Sequence, residues 1–179
     1  MQYLKEDIQE KILHIAEEVF SEKGYKDASM REIASRTGIT VSNIYHYFTN
    51  KDEIFRTILK PVLNDLYAKI YSHDANQMSI EVFTNSDYQQ ESVQEYIDLV
   101  SEHRARLRML LFQAQGSSLE NFRSEYTDAM TRTIFVFFQG MKQKYPHLNI
   151  GITDFFIHLN TVWPVSYTHL RAHETEADL

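Results

Sequence analysis

Gly38 lies between two short runs of helical periodicity, and that arrangement limits the fold of residues 29–51 more than any bulk property of the chain does. Ser29 followed by Glu32 is a capping box, in which each side chain satisfies a backbone N–H at a helix start, so a helix is predicted from Met30. Met30, Ile33, Ala34 and Thr37 form the i, i+3, i+4, i+7 stripe of an amphipathic helix. Gly38 reaches positive φ without steric cost where the chain leaves one helix for another. Thr40 can cap the second helix, with Ile44, Tyr47 and Phe48 facing inward and Val41, Ser42, Asn43, Tyr45 and His46 facing outward. The outward residues are small groups and hydrogen-bond formers, not a salt-bridged face. Ala34, Gly38 and Ile44 keep the spacing of a helix-turn-helix: a small residue where the helices approach, the turn glycine, and a core residue on the second helix.

The flanks sharpen this reading. Residues 6–23 are amphipathic, with Ile8, Ile12, Ile15, Ala16 and Val19 on one face, and Gly24-Tyr25 closes them. On the other side, Ile-Tyr-His-Tyr-Phe-Thr-Asn-Lys-Asp-Glu-Ile-Phe runs from Ile44 to Phe55 into a further helix. Over about residues 5–60 the succession resembles the N-terminal domain of the TetR family of transcriptional regulators. One departure is Ala28-Ser29, where that family often carries paired threonines; Ser29 can still cap. The resemblance implies an all-α protein. It would comprise a helix-turn-helix DNA-binding domain over residues 1–51 and a helical effector-binding and dimerisation domain over 52–164. It also implies that Thr40, Tyr45, Tyr47 and Lys51 hold phosphates while Val41, Ser42, Asn43 and His46 face bases, with Ser29 and Arg31 beside them. Asn43 is chemically the best base reader, since an amide pairs bidentately with adenine; a phosphate contact is its alternative role.

Charge bears on that expectation. The 179-residue chain carries a net −7, and residues 1–53 hold seven Lys/Arg against ten Asp/Glu, a balance that by itself argues against a nucleic-acid partner. Its distribution argues otherwise: residues 29–51 hold Arg31, Arg36 and Lys51 against Glu32 alone, so a locally positive edge is predicted, while the acidity elsewhere predicts weak non-specific binding and hence marked salt dependence. Zero cysteines remove a disulfide framework and a thiolate zinc site. With no basic stretch leading into an apolar run at the N-terminus, and no window near the ~18 apolar residues of a membrane span, a cytoplasmic protein is expected.

Beyond residue 51, Asn50 can cap a helix whose first turn holds Asp52 and Glu53. Phe55, Ile58, Leu59, Val62, Leu63, Leu66, Ile70 and Tyr71 continue it, and Pro61 predicts a kink or local break. This helix is expected to couple the two domains. Residues 72–91 read as a polar loop, with room for one helical turn around Ile80, Val82 and Phe83. Residues 91–115 then show two apolar stripes, which predicts one helix lodged between others, and residues 119–145 predict another long helix ended by Pro146. Residues 153–163 repeat the helical period and Pro164 closes them.

Most of these apolar faces are read as core. Tyr67, Tyr71, Tyr96, His103, Gln113 and Tyr126 nonetheless offer polar tips in apolar surroundings. Together with Leu66, Ile70, Leu99, Phe112 and Met130 they form the candidate ligand set, suited to a small apolar or aromatic effector. No metal, cofactor or catalytic residue is expected: His169 and His173 stand four apart without a third ligand, and no nucleophile elbow or phosphate loop is present. Arg104, Arg106 and Arg108 read as a solvated face. Residues 165–179 lack an apolar stripe, and Ser-Tyr-Thr-His-Leu-Arg-Ala-His-Glu resembles a translated adapter, so a disordered or non-native tail is expected, with a natural tail that orders on binding as the alternative. The expected function is a ligand-responsive repressor binding a palindromic operator as a homodimer. The alternatives are a DNA-binding protein of the same scaffold without an effector, and a fragment unable to dimerise.

Overall fold

The structure is a computed structural model that describes residues 2–71 and 86–147. The pair His169 and His173, the segment 153–163 and the tail 165–179 lie outside the described residues. Seven helices occur among them, with no strand: α1 (Gln2–Asp27), α2 (Met30–Thr37), α3 (Val41–Ile44), α4 (Lys51–Tyr71), α5 (Ser86–Glu102), α6 (Arg104–Phe112) and α7 (Phe122–Lys144). The fold is all-α. The chain divides into two compact units, the first comprising residues up to Asp65 together with Ser92–Phe122. The second holds the other described residues, 66–71, 86–91 and 123–147.

The core of the first unit follows the predicted stripes. Ile12, Ala16, Val19 and Phe20 of α1, Ile33 and Ala34 of α2, Ile44 of α3, and Ile54, Phe55, Ile58 and Leu59 of α4 are all buried. Each large side chain so removed from water contributes about 1.5–3 kcal/mol. Phe20, Tyr25 and Phe55 form an aromatic knot, with ring centroids 5.0 Å apart for Phe20–Phe55 and for Tyr25–Phe55. This unit is wider than the expected 1–51 domain, because α6 packs on α1 and brings Met109, Leu110, Ala114, Leu119 and Phe122 into the buried set. A bidentate pair fastens that contact: Arg106 Nε and Nη2 donate to the two carboxylate oxygens of Glu17 at 2.9 and 3.0 Å.

In the second unit Ile70, Tyr126, Phe137 and Met141 are buried. The Tyr126 hydroxyl donates to the Leu66 carbonyl at 3.2 Å, and its ring meets Tyr67 at a centroid distance of 6.4 Å.

Four expectations are corrected here. The helix predicted over 91–115 is two, because His103 adopts φ −108° and ψ 19°, leaves the α-helical region, and is followed by a new helix at Arg104. Its apolar circumference is not all covered: Val93 and Ile97 remain 59% and 52% exposed, and Tyr96 and Val100 are exposed too, while Leu99 and His103 are buried. Residues 86–91 are helical, not loop, although only 72–85 of that stretch lie outside the described residues. Of the two outcomes expected at Pro61, a kink or a local break, the break does not occur: the exposed ring leaves the Thr57 carbonyl without the N–H partner that the fourth residue onward would supply, and the helix continues to Tyr71.

Candidate nucleic-acid interface

Local hydrogen bonds set the motif. The Ser29 hydroxyl accepts from the Glu32 N–H at 3.2 Å, capping α2. Gly38 ends α2 at φ 70° and ψ 18°, with the Ile39 N–H donating to the Ala34 carbonyl at 3.1 Å. Thr37, buried in the bend, donates its hydroxyl to the Ile33 and Ala34 carbonyls and accepts from the Ile39 N–H. Thr40 caps α3 by accepting from the Asn43 N–H at 3.2 Å. Regular α-helix lasts only to Ile44; the Tyr47 N–H then donates to the Ile44 carbonyl, a tighter turn that carries Tyr45, His46 and Tyr47 around the axis. Ile44 and Phe48 anchor this element from beneath, at 0% and 2% exposure.

Ser42, Asn43, Tyr45 and His46 are exposed, as the spacing placed them, and so is Thr40; Val41, expected outward, and Tyr47, expected inward, are both half-buried. Both capping hydroxyls accept a backbone N–H and keep their own proton, which can be donated to a phosphate oxygen. These residues form one continuous polar surface on a buttressed helix.

The positive edge is smaller than composition implied. Arg36 Nη1 and Nη2 donate to Glu22 at 2.9 and 2.6 Å, and Nη2 also donates to Glu32 at 2.9 Å. Lys23 joins Glu32 at 2.9 Å. The Arg36 guanidinium holds the Glu22 carboxyl below its ordinary range, and the Lys23 ammonium does the same for Glu32. Lys51 is turned inward: its ammonium donates to the carbonyls of Tyr25 at 2.6 Å and Ala28 at 2.8 Å, and sits 4.1 Å from the Tyr25 ring centroid. Burial pushes its pKa down. Of its three N–H groups, one is left for a phosphate. Arg31 is exposed and pairs with no carboxylate among the described residues. The i, i+4 spacing of Glu32 and Arg36 signalled part of this network; Glu22, fourteen residues from Arg36, carried no local signal.

The candidate ligand residues fall in two places. Leu66, Tyr67, Ile70, Tyr71, Tyr126 and Met130 belong to the second unit, where Tyr67 and Tyr126 meet and Tyr71 is 76% exposed. Tyr96, Leu99, His103, Phe112 and Gln113 belong to the first. There His103, 4% exposed, has its Nε2 2.7 Å from Asp65 Oδ2, and Gln113 donates through Nε2 to the Ser21 carbonyl at 3.0 Å. His103 Nδ1 and Gln113 Oε1 are buried without a partner. Among the described residues no group of three His, Cys, Asp or Glu could hold a metal ion, and no helix is long and apolar enough to cross a membrane.

A capped, buttressed second helix after an αL glycine, with its polar face open, defines a DNA-binding head of the helix-turn-helix class. Residues 12–58 match the family described as bacterial regulatory proteins, tetR family. It is similar to the HTH-type transcriptional repressor KstR2 of Rhodococcus jostii, 24% identical over 121 residues that cover 65% of this chain and 58% of that protein. It is also similar to the HTH-type transcriptional regulator UidR of Escherichia coli, 37% identical over 49 residues, 27% of this chain and 25% of that one. The chain thus spans under two thirds of the length of these curated relatives. Among solved structures, FadR of Bacillus subtilis in complex with stearoyl-CoA is similar in fold, with a TM-score of 0.58, 16% identity, and coverage of 94% of this chain and 89% of that one. The fatty acid degradation regulator FadR of Bacillus halodurans gives 0.60, 15%, 96% and 86%.

Proposed function

We propose that this chain is a cytoplasmic transcriptional repressor that binds a palindromic operator as a homodimer and releases it when a small, largely apolar effector binds the helical part beyond the head. The observation that carries the reading is the exposed, hydroxyl- and amide-bearing face of α3 above the buried Ile44 and Phe48. Two such heads reach successive major grooves about 34 Å apart, with Asn43, Ser42 and His46 toward bases and Thr40, Tyr45 and Ser29 toward phosphates. Selection from a random duplex library with the full chain tests this, and a palindrome with half-sites one helical turn apart is expected. Enrichment of no sequence sinks the assignment.

The effector part of the reading draws on the tyrosine-tipped apolar surroundings of Tyr67 and Tyr126. The presence of stearoyl-CoA in a protein of similar fold makes a long-chain acyl-CoA the first compound to try. With α4 as the lever between head and effector part, the ligand shifts the population toward a spacing of the heads that no longer fits the operator. Operator-bound protein is expected to dissociate on adding stearoyl-CoA, read by fluorescence anisotropy. If neither acyl-CoAs, whose acyl chain is the apolar part, nor apolar compounds that bind the chain alter operator affinity, the effector model fails.

A further inference from the structure

The turn after α6 grips both helices that flank the motif. Residues 113–121 are well fixed: the Ser117 hydroxyl donates to the Ala114 carbonyl at 2.6 Å and accepts from the Leu119 N–H at 3.1 Å, and the Gly116 N–H donates to Glu120 at 3.0 Å. At one end of this turn, the Gln113 carbonyl accepts from the Tyr25 N–H at 2.8 Å, and the Gln113 side chain donates to the Ser21 carbonyl. Both bonds engage the end of α1, where a helix leaves backbone groups without internal partners. At the other end, the Ser118 N–H donates to Asp52 Oδ1 at 2.8 Å and its hydroxyl accepts from Arg56 at 3.1 Å. Those bonds engage the first turns of α4. Lys51 also ties the α1 end to the α4 start. Residues 29–50, which carry the DNA-facing side chains, therefore hang between two points that one loop holds.

We infer that the 113–121 loop is a clamp that sets the orientation of the DNA-reading motif from outside it, with Gln113 and Asp52 as positioning residues that touch no DNA. The inference rests on the proposed operator binding. A clamp of this kind governs the angle at which each α3 is presented, and so it governs which half-site spacing a pair of heads accepts. Loss of the clamp therefore relaxes spacing, not base preference.

The test uses the full chain and its selected operator, alongside duplexes whose central spacer is lengthened or shortened by one base pair. Asp52→Ala and Gln113→Ala are each expected to weaken binding to the selected operator about 2- to 30-fold, the range of couplings carried by contiguous contacts. Their discrimination against the altered spacers should fall while half-site preference and the salt slope stay as in the parent. Asp52→Asn retains an oxygen for the Ser118 N–H and is expected to restore spacing discrimination. Hydrogen exchange at Ser118 reports whether Asp52→Ala has opened the clamp, while Gln113→Ala removes the side-chain bond to the Ser21 carbonyl and keeps the backbone carbonyl that the Tyr25 N–H reaches. Parent-like spacing discrimination in an Asp52→Ala variant whose Ser118 amide is released overturns the clamp, as does parent-like discrimination in a folded Gln113→Ala. If Asp52→Ala does not fold, the spacing discrimination of Gln113→Ala decides. A parent chain that enriches no operator overturns the DNA-reading assignment itself, a result distinct from variants that bind a selected operator with unchanged spacing.

Discussion

Arg36 carries its charge into Glu22 and Glu32, and Lys51 carries its own into the backbone, so two of the three cations that residues 29–51 contribute are committed before DNA arrives. On the proposed reading, DNA binding then relies on hydroxyls, amides and Arg31. Because the slope of log K against log salt follows the number of phosphates neutralised by cations, about −0.9 each, Arg31→Ala is expected to flatten it by about 0.9 per head bound, and Arg36→Ala to leave it nearly unchanged. Equal flattening by both would show that Arg36 leaves its carboxylates for phosphate. Asn43→Ala is expected to cost about 1–3 kcal/mol and to alter the selected half-site, measured by repeating the selection with the variant. The acids matter to stability as well. Glu22, Glu32 and Glu53 titrate below their ordinary value in the fold, Glu53 because Thr49 donates to it. Folding therefore holds their full contribution above the unfolded carboxylate value of about 4.3 and loses it as pH falls through the lowered values. Urea midpoints of Glu22→Gln/Glu32→Gln should accordingly depend less on pH between 5 and 3 than those of the parent. The residues facing outward on α3 were legible because capping and a short helical period are local rules. The commitment of Arg36 to Glu22 and of Lys51 to Tyr25 was not, since each joins residues from different elements.

At the scale of elements, the glycines separate two kinds of turn. Gly38 lies in the ordinary left-handed region, and a Cβ there meets nothing within 4 Å. Gly24 has φ 76° and ψ 167°, a conformation essentially confined to glycine, and a Cβ there comes 3.5 Å from the Gln113 carbonyl oxygen. Gly38→Ala is therefore expected to lower stability by about 1 kcal/mol, and Gly24→Ala by up to about 3 kcal/mol, ranked by thermal midpoints. Equal midpoints would contradict that ranking. The helices themselves were legible wherever an apolar stripe met a cap or a glycine, as in α1, α2 and α4. The break at His103 was not, because the apolar stripe runs on past it; what redirects the chain is a buried side chain 2.7 Å from Asp65, thirty-eight residues away. The tolerance of α4 for Pro61 was equally hidden: a proline on an exposed face costs a hydrogen bond but need not end a helix already held by Ile58, Leu59 and Val62.

At the scale of the molecule, the head shares its buried set with residues far beyond it in sequence. Residues 1–65 without 92–122 lose the Arg106–Glu17 pair, the Tyr25–Gln113 bond and the cover that Met109, Leu110 and Phe122 share. A fragment of residues 1–65 is expected to melt well below the full chain or without a cooperative transition; a fragment with the parent's midpoint would show that the added helices contribute nothing to it. The sequence pattern drew the boundary of the DNA-reading motif but not that of the compact unit, because α6 returns to α1 across nearly ninety residues and such a return leaves no periodic trace. The neutralised Arg36 has one last consequence, for the time the protein takes to find its target. A head with little uncommitted positive charge grips random duplex weakly, and a weak grip means short residence and short slides along the chromosome. On the function proposed above, such a protein travels through solution from one encounter to the next, and the rate at which its operator is refilled is expected to rise in proportion to the number of copies.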